Sequence, residues 1–152
     1  MCVFLKTDQE NVGKLMTRVN SAIDPSTLCD QHLFAEYREM LRVVGESFRT
    51  DKSKIPTKFK LGTGHVKFFA DKGLFMQIRH KTLVEELHRR QITTNFSYDD
   101  HKDGFHNSYS VTDEEFELLK ERVTMRMPMS PRFYKKQVSR DEAIAMIKKW
   151  QQ

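Results

Sequence analysis

Residues 29–49 read CDQHLFAEYREMLRVVGESFR, with no proline and a single glycine. At about 100° per residue, Leu33, Tyr37, Met40, Leu41, Val44 and Phe48 fall on one side of a helix. His32, Glu36, Arg38, Glu39, Arg42, Glu46 and Arg49 fall on the other, and only Val43 breaks the split. The pattern predicts an amphipathic helix with one apolar and one coherent polar face. Asp24-Pro25-Ser26 reads as the turn that leads into it.

Downstream, residues 50–60 (TDKSKIPTKFK) form a basic loop, and LGTGHVKFF (61–69) makes a glycine turn that opens a second helix from about Asp71 to Arg90. In that helix Leu74, Phe75, Ile78, Leu83, Val84 and Leu87 occupy more than one side, as expected of a buried central helix. Residues 91–110 read as irregular, anchored by Phe96, Tyr98, Phe105 and Tyr109. TDEE (112–115) is a capping box starting a third helix with Phe116, Leu119 and Val123 inward, ended by Pro128 and Pro131. SRDE (139–142) is a second, starting a last helix with Ala143, Met146, Ile147 and Trp150 inward. Strand signals are few. The expected fold is mainly α: a single compact domain of three to four helices with irregular loops.

A chain of 152 residues suits one core rather than two. Hydrophobic residues at 38% and eleven Phe exclude a disordered polymer, and the net charge of +5 suits a polyanion such as nucleic acid. Cys2 and Cys29 have neither metal-ligand nor disulfide-framework spacing, which fits a reducing cytoplasm. The first fifteen residues hold only Val3, Phe4 and Leu5 as an apolar run, too short and too charged for a signal peptide. No stretch is long enough for a membrane span. A cytoplasmic protein acting on DNA is expected. Gly62 and Gly64 are too few for a nucleotide cradle and read as a packing turn, and Met125, Met127 and Met129 as gap-filling core.

Three blocks, MTRVN (16–20) followed by DQHLFAEYRE (30–39) with Arg42, and LGTGHVKFFADK (61–72), closely resemble the pyrimidine-dimer DNA glycosylases of the phage endonuclease V type. The resemblance runs from Met16 to about Lys135. It implies a DNA-repair enzyme that excises pyrimidine dimers and nicks the strand as an abasic-site lyase. The implied nucleophile is the α-amine of Thr17, exposed once Met16 is removed. An α-amine is well suited to that role, because its pKa near 7.7–8.0, against about 10.4 for lysine, leaves roughly 10–20% as free base at pH 7. Such an amine can attack C1′ of deoxyribose, expel the base and form an imine, which acidifies the 2′ proton for β-elimination.

The resemblance assigns Glu39 as the catalytic carboxylate, stabilising the imine and handling protons. Arg38 and Arg42 would grip phosphates, Arg18 would assist beside the amine, and Arg122 and Arg126 match basic residues used on DNA. His32, two turns before Glu39, either orients substrate and carboxylate or is a structural hydrogen-bonding histidine. No metal or organic cofactor is implied, the partner is double-stranded DNA with damaged bases, and a monomer suffices.

The sequence departs from the family at its front, where residues 1–15 precede the working domain, 16–152. Three origins remain open: Met16 is the true start, the extension is cleaved, or it persists. In the last case Thr17 is a peptide amide, and the chain uses Cys2's amine or a lysine, or has lost the activity. One extra residue separates Thr17 from Asp30, and the aromatic C-terminal segment is thinned to Arg132-Phe-Tyr-Lys135. The main alternative is therefore a non-catalytic binder of damaged or bent duplex. A metal-dependent nuclease fits less well, because no clustered carboxylate–histidine ligand pattern occurs.

Overall fold

The computed structural model describes residues 19–98 and 103–149. The extension 1–15, Met16, Thr17, Arg18 and Trp150 lie outside the described residues. Five helices follow in order: α1 (Asp30–Arg49), the single turn α2 (His65–Phe68), α3 (Gly73–Arg89), α4 (Asp113–Met125) and α5 (Arg140–Lys149). A hairpin of β1 (Arg132–Phe133) and β2 (Lys136–Gln137) pairs antiparallel, Arg132 opposite Gln137. The expectation of a mainly α fold of three to four helices with irregular loops holds, the single turn α2 apart, and the described part of the stretch 91–110 is irregular as expected.

Local signals set the boundaries. Asp24 caps a 3-10 turn at Pro25–Thr27 by accepting from the Ser26 amide. The Thr112 hydroxyl accepts from the Glu115 amide and the Ser139 hydroxyl from the Glu142 amide, so both stretches start their helices through the N-cap half of the box, while the Glu142 carboxylate takes the Ser139 hydroxyl and the Glu115 carboxylate turns elsewhere. Gly62 and Gly64 have φ of +77° and +89°, a left-handed backbone that glycine adopts without a Cβ clash, and they form the expected turn.

α1 packs against α3 and α2, while α4 packs against α5. One core gathers Leu33, Met40 and Val43 of α1, Phe68 of α2, Met76, Leu83 and Leu87 of α3, Phe116 and Leu119 of α4, and Ala143 and Ile147 of α5. Tyr37 closes it on one side: its hydroxyl accepts from the Asn95 and Phe96 amides, and its ring stacks on Phe96 at 4.4 Å.

The faces of α1 differ from the expected split. Val43 is core, whereas Leu41 and Phe48 are exposed and His32, Glu36 and Glu39 are buried. The reason is an ion pair. Arg79 of α3 grips Glu36 with Nε and Nη2 at 2.8 and 2.9 Å and donates Nη1 to the Ile23 carbonyl at 2.7 Å. A carboxylate so paired can turn inward, rotating the helix from where polarity alone would set it. Ile78, Met125, Met129 and Met146 are likewise exposed rather than core, and α3 is not buried all round. Of the methionine cluster only Met127 is buried.

Arg90, fully buried just after α3, is the other polar anchor. It donates to Asp30 at 3.0 Å, to Glu86 at 2.9 Å, and to the carbonyls of Leu28, Pro25 and Ser26. Asp30 in turn accepts from the amides of Tyr134 and Lys135 at 3.2 and 2.7 Å. Those two residues sit at φ of 53° and 68°, the left-handed turn of a tight hairpin, which strains a side-chain-bearing residue by about 1–3 kcal/mol. The Asp30 carboxylate helps hold both there.

Candidate active site

The polar part of α1 divides into three strips. Arg38, Arg42 and Arg49 point outward. Glu39 lies to one side with its side chain only 1% exposed, and Arg42 reaches back over it with Nη1 3.1 Å from Oε1, a one-turn pairing that leaves the arginine 64% exposed. Leu41 and Phe48 lie to the other side. The structure thus brings three of the expected residues together: Arg38, Glu39 and Arg42.

The segment that follows Thr17 and Arg18 is fastened by side chains from three helices. The Val19 amide donates to Nε2 of His65 at 3.1 Å, while Nδ1 of His65 donates to the Lys60 carbonyl at 2.8 Å. This pairing fixes the tautomer with the proton on Nδ1. The Ser21 hydroxyl donates to Oε2 of Glu115, whose Oε1 accepts from the Tyr109 hydroxyl at 2.5 Å. Burial raises the Glu115 carboxyl above its ordinary value, against the donors from Ser21 and Tyr109. The Ile23 carbonyl takes the Arg79 bond. No part in the site was expected from sequence for His65, Arg79 or Glu115, the last of which was read only as a member of the 112–115 cap. His65 lies in a block quoted for its resemblance, but its partners are a carbonyl five residues back and an amide 46 residues away.

His32 is buried at the base of α1, and its Nε2 donates to the Arg126 carbonyl at 3.1 Å. Burial pushes its pKa down to about 4, so at neutral pH it is uncharged. The geometry matches the structural alternative: His32 ties α1 to the end of α4, where half-buried Arg122 and Arg126 sit. Gln31 extends the tie by donating to the Ser130 carbonyl and accepting from the Arg132 amide. Cys29 is buried with its thiol pushed up to about 11, so it stays protonated and is a poor nucleophile.

Between pH 6.5 and about 4 the unfolded chain binds a proton at His32 that the folded chain excludes. Stability from this group is therefore full above pH 6.5 and falls as pH drops, by about 3 kcal/mol at the acid end. His32→Gln keeps a donor for the Arg126 carbonyl without titrating. In urea unfolding at pH 7 and 4.5, the parent is expected to lose more stability than His32→Gln. Equal losses would refute the assignment.

Among the described residues, no helix is long and apolar enough to cross a membrane. A sequence model of the family described as pyrimidine dimer DNA glycosylase matches residues 16–100, more than half of the chain. The match begins at Met16 and spans the Val19–Ile23 segment, α1, α2 and α3.

Proposed function

Because the chain belongs to the pyrimidine dimer DNA glycosylase family, we propose that it excises dimers by imine chemistry at the α-amine of Thr17 and then nicks the abasic strand. The observation that carries this reading is Glu39: a buried carboxylate beside an exposed arginine row on α1, the helix that follows the fastened Val19–Ile23 segment. The domain that works is 16–152, and the start of the family match at Met16 supports a chain in which Thr17 is first.

In this mechanism the Thr17 amine attacks C1′, the C1′–N bond breaks, and the base leaves with a proton. Opening of the sugar, in which the C1′–O4′ bond breaks and O4′ takes a proton from water, gives a protonated imine. Glu39 stabilises that cation and takes the C2′ proton, and β-elimination expels the 3′ phosphate. Water then hydrolyses the imine and frees the amine. The imine itself is the electron sink, so no cofactor enters the sequence of steps. Arg38 and Arg42 hold phosphates on either side of the sugar, with Arg18 beside the amine. Arg122 and Arg126 add contacts from the end of α4, and His32 acts through the Arg126 backbone rather than on substrate. His65 and Glu115 hold Val19 and Ser21, which limits where the amine can lie. The substrate is duplex DNA, and reaching C1′ requires it to be kinked and a nucleotide drawn from the stack. One copy of the chain supplies every group named.

The test is incubation of the chain beginning at Thr17 with a duplex carrying one cyclobutane dimer, with and without EDTA. A nick at the dimer that persists in EDTA is expected. A nick lost in EDTA would contradict the mechanism. Tight binding without a nick would favour a scaffold that binds damaged DNA and does not cut it.

A further inference from the structure

The third strip of α1 has no part in the chemistry above. Leu41 and Phe48 are 54% and 58% exposed, although they are large apolar residues on a helix with an ample core. At about 100° per residue they share one edge, with the arginines 38, 42 and 49 on the adjoining strip and Glu39 beyond. Gly45 lies between the strips; a Cβ there would meet the Arg49 guanidinium at 2.9 Å, so its absence lets that side chain fold flat. The exposed apolar residues of α4 differ in setting. Leu118 and Met125 of α4 border Glu114, Glu117 and Glu121 together with Lys120 and Lys148, a mixed surface with no row of cations to seat a phosphate backbone. The α1 edge instead adjoins three outward arginines.

We propose that Leu41 and Phe48 form a wedge that enters the duplex beside the lesion and unstacks the neighbouring base step, Leu41 being the inserted residue. This rests on the glycosylase reading for its substrate. Charge complementarity selects the occupant, since a row of arginines draws the phosphate backbone onto this face. Apolar side chains beside such a row are what minor-groove kinking proteins insert between base steps. Leu41 directly follows Met40 and precedes Arg42, so it lies within one turn of both phosphate-gripping arginines and across the helix from Glu39. Phe48 is two turns on, about 10.5 Å along the axis, a span of roughly three base steps. It therefore meets the duplex at a second point, bracing the kink that Leu41 opens.

Both side chains are exposed, so their removal leaves the fold intact and the test is clean. The chain, Leu41→Ala, Phe48→Ala and the double variant are mixed with a duplex holding an uncleavable tetrahydrofuran abasic analogue next to 2-aminopurine. Fluorescence of 2-aminopurine reports unstacking without any chemistry. In parallel, nicking is timed on an abasic duplex and on the same abasic strand alone. The parent is expected to raise the fluorescence and Leu41→Ala to lose most of that rise. Nicking of the duplex should fall at least tenfold in Leu41→Ala, less in Phe48→Ala, and stay within about twofold on the single strand. Undiminished fluorescence with the double variant, no rise with the parent, or equal losses on duplex and single strand would overturn the wedge. A parent that unstacks the duplex but nicks neither substrate would leave the wedge standing and remove the imine chemistry instead.

Discussion

Replacing Glu39 by Gln is expected to slow strand scission at an abasic site by 10²- to 10⁴-fold, the usual contribution of a positioned general base. The change is nearly isosteric. It leaves the side chain able to accept from Arg42 and removes only the charge and the capacity to take a proton. Glu39 is buried, so its neighbours hold it in one place, and Arg42 keeps it oriented through the 3.1 Å contact. The loss should fall on the turnover rate with DNA affinity within a few-fold, because the proposed phosphate contacts of Arg38 and Arg42 do not use the Glu39 charge. Single-turnover nicking and gel-shift binding measured on the same abasic duplex separate the two. Nicking within threefold of the parent would remove Glu39 from the chemistry. A parallel loss of binding would make it a structural residue.

The largest effect on stability is expected from Arg90→Met. Its guanidinium is fully buried and serves two carboxylates and three backbone carbonyls. Methionine fills much of the volume but takes the cation from buried Asp30, leaving it only the Tyr134 and Lys135 amides, and leaves Glu86 with Arg89 alone as its cation. Breaking a buried ion network by removing one partner costs about 3–5 kcal/mol, a large share of the roughly 5–15 kcal/mol that holds a domain. For a domain of this size the melting temperature should fall on the order of 10–20 °C. Asp30 also anchors the Tyr134–Lys135 turn, so the hairpin should loosen before the core does. Amide hydrogen exchange of residues 132–137 would then accelerate more than that of α4. A melting temperature within 3 °C of the parent would refute this account of Arg90.

The parts of this fold that could be read from sequence are those whose causes are local. The two capping boxes, the Asp24 turn and the glycine turn each depend on groups two to four residues apart, and all stand where expected. The faces of α1 could not be read, because Glu36 and Arg79 are 43 residues apart and only their pairing turns a carboxylate inward. The run Asp30-Gln31-His32 was informative as a signature, yet its physical work was hidden. Each of the three bonds the backbone of residues 126–135, between 94 and 105 positions away. For the site, Arg38, Glu39 and Arg42 fall together because helical spacing alone brings them to neighbouring positions. His65 and Glu115 were missed because nothing in their local sequence distinguishes a clamp from a turn or a cap.

Every later step of the proposed reaction depends on attack of the Thr17 α-amine on the sugar. That attack is tested most directly by borohydride reduction during the reaction, with the trapped protein–DNA adduct digested and sequenced by mass spectrometry. A chain beginning at Thr17 should give an adduct on the peptide that starts with that residue, and a chain beginning at Met1 should give none. An adduct on a lysine, or equal adducts with both chains, would contradict it.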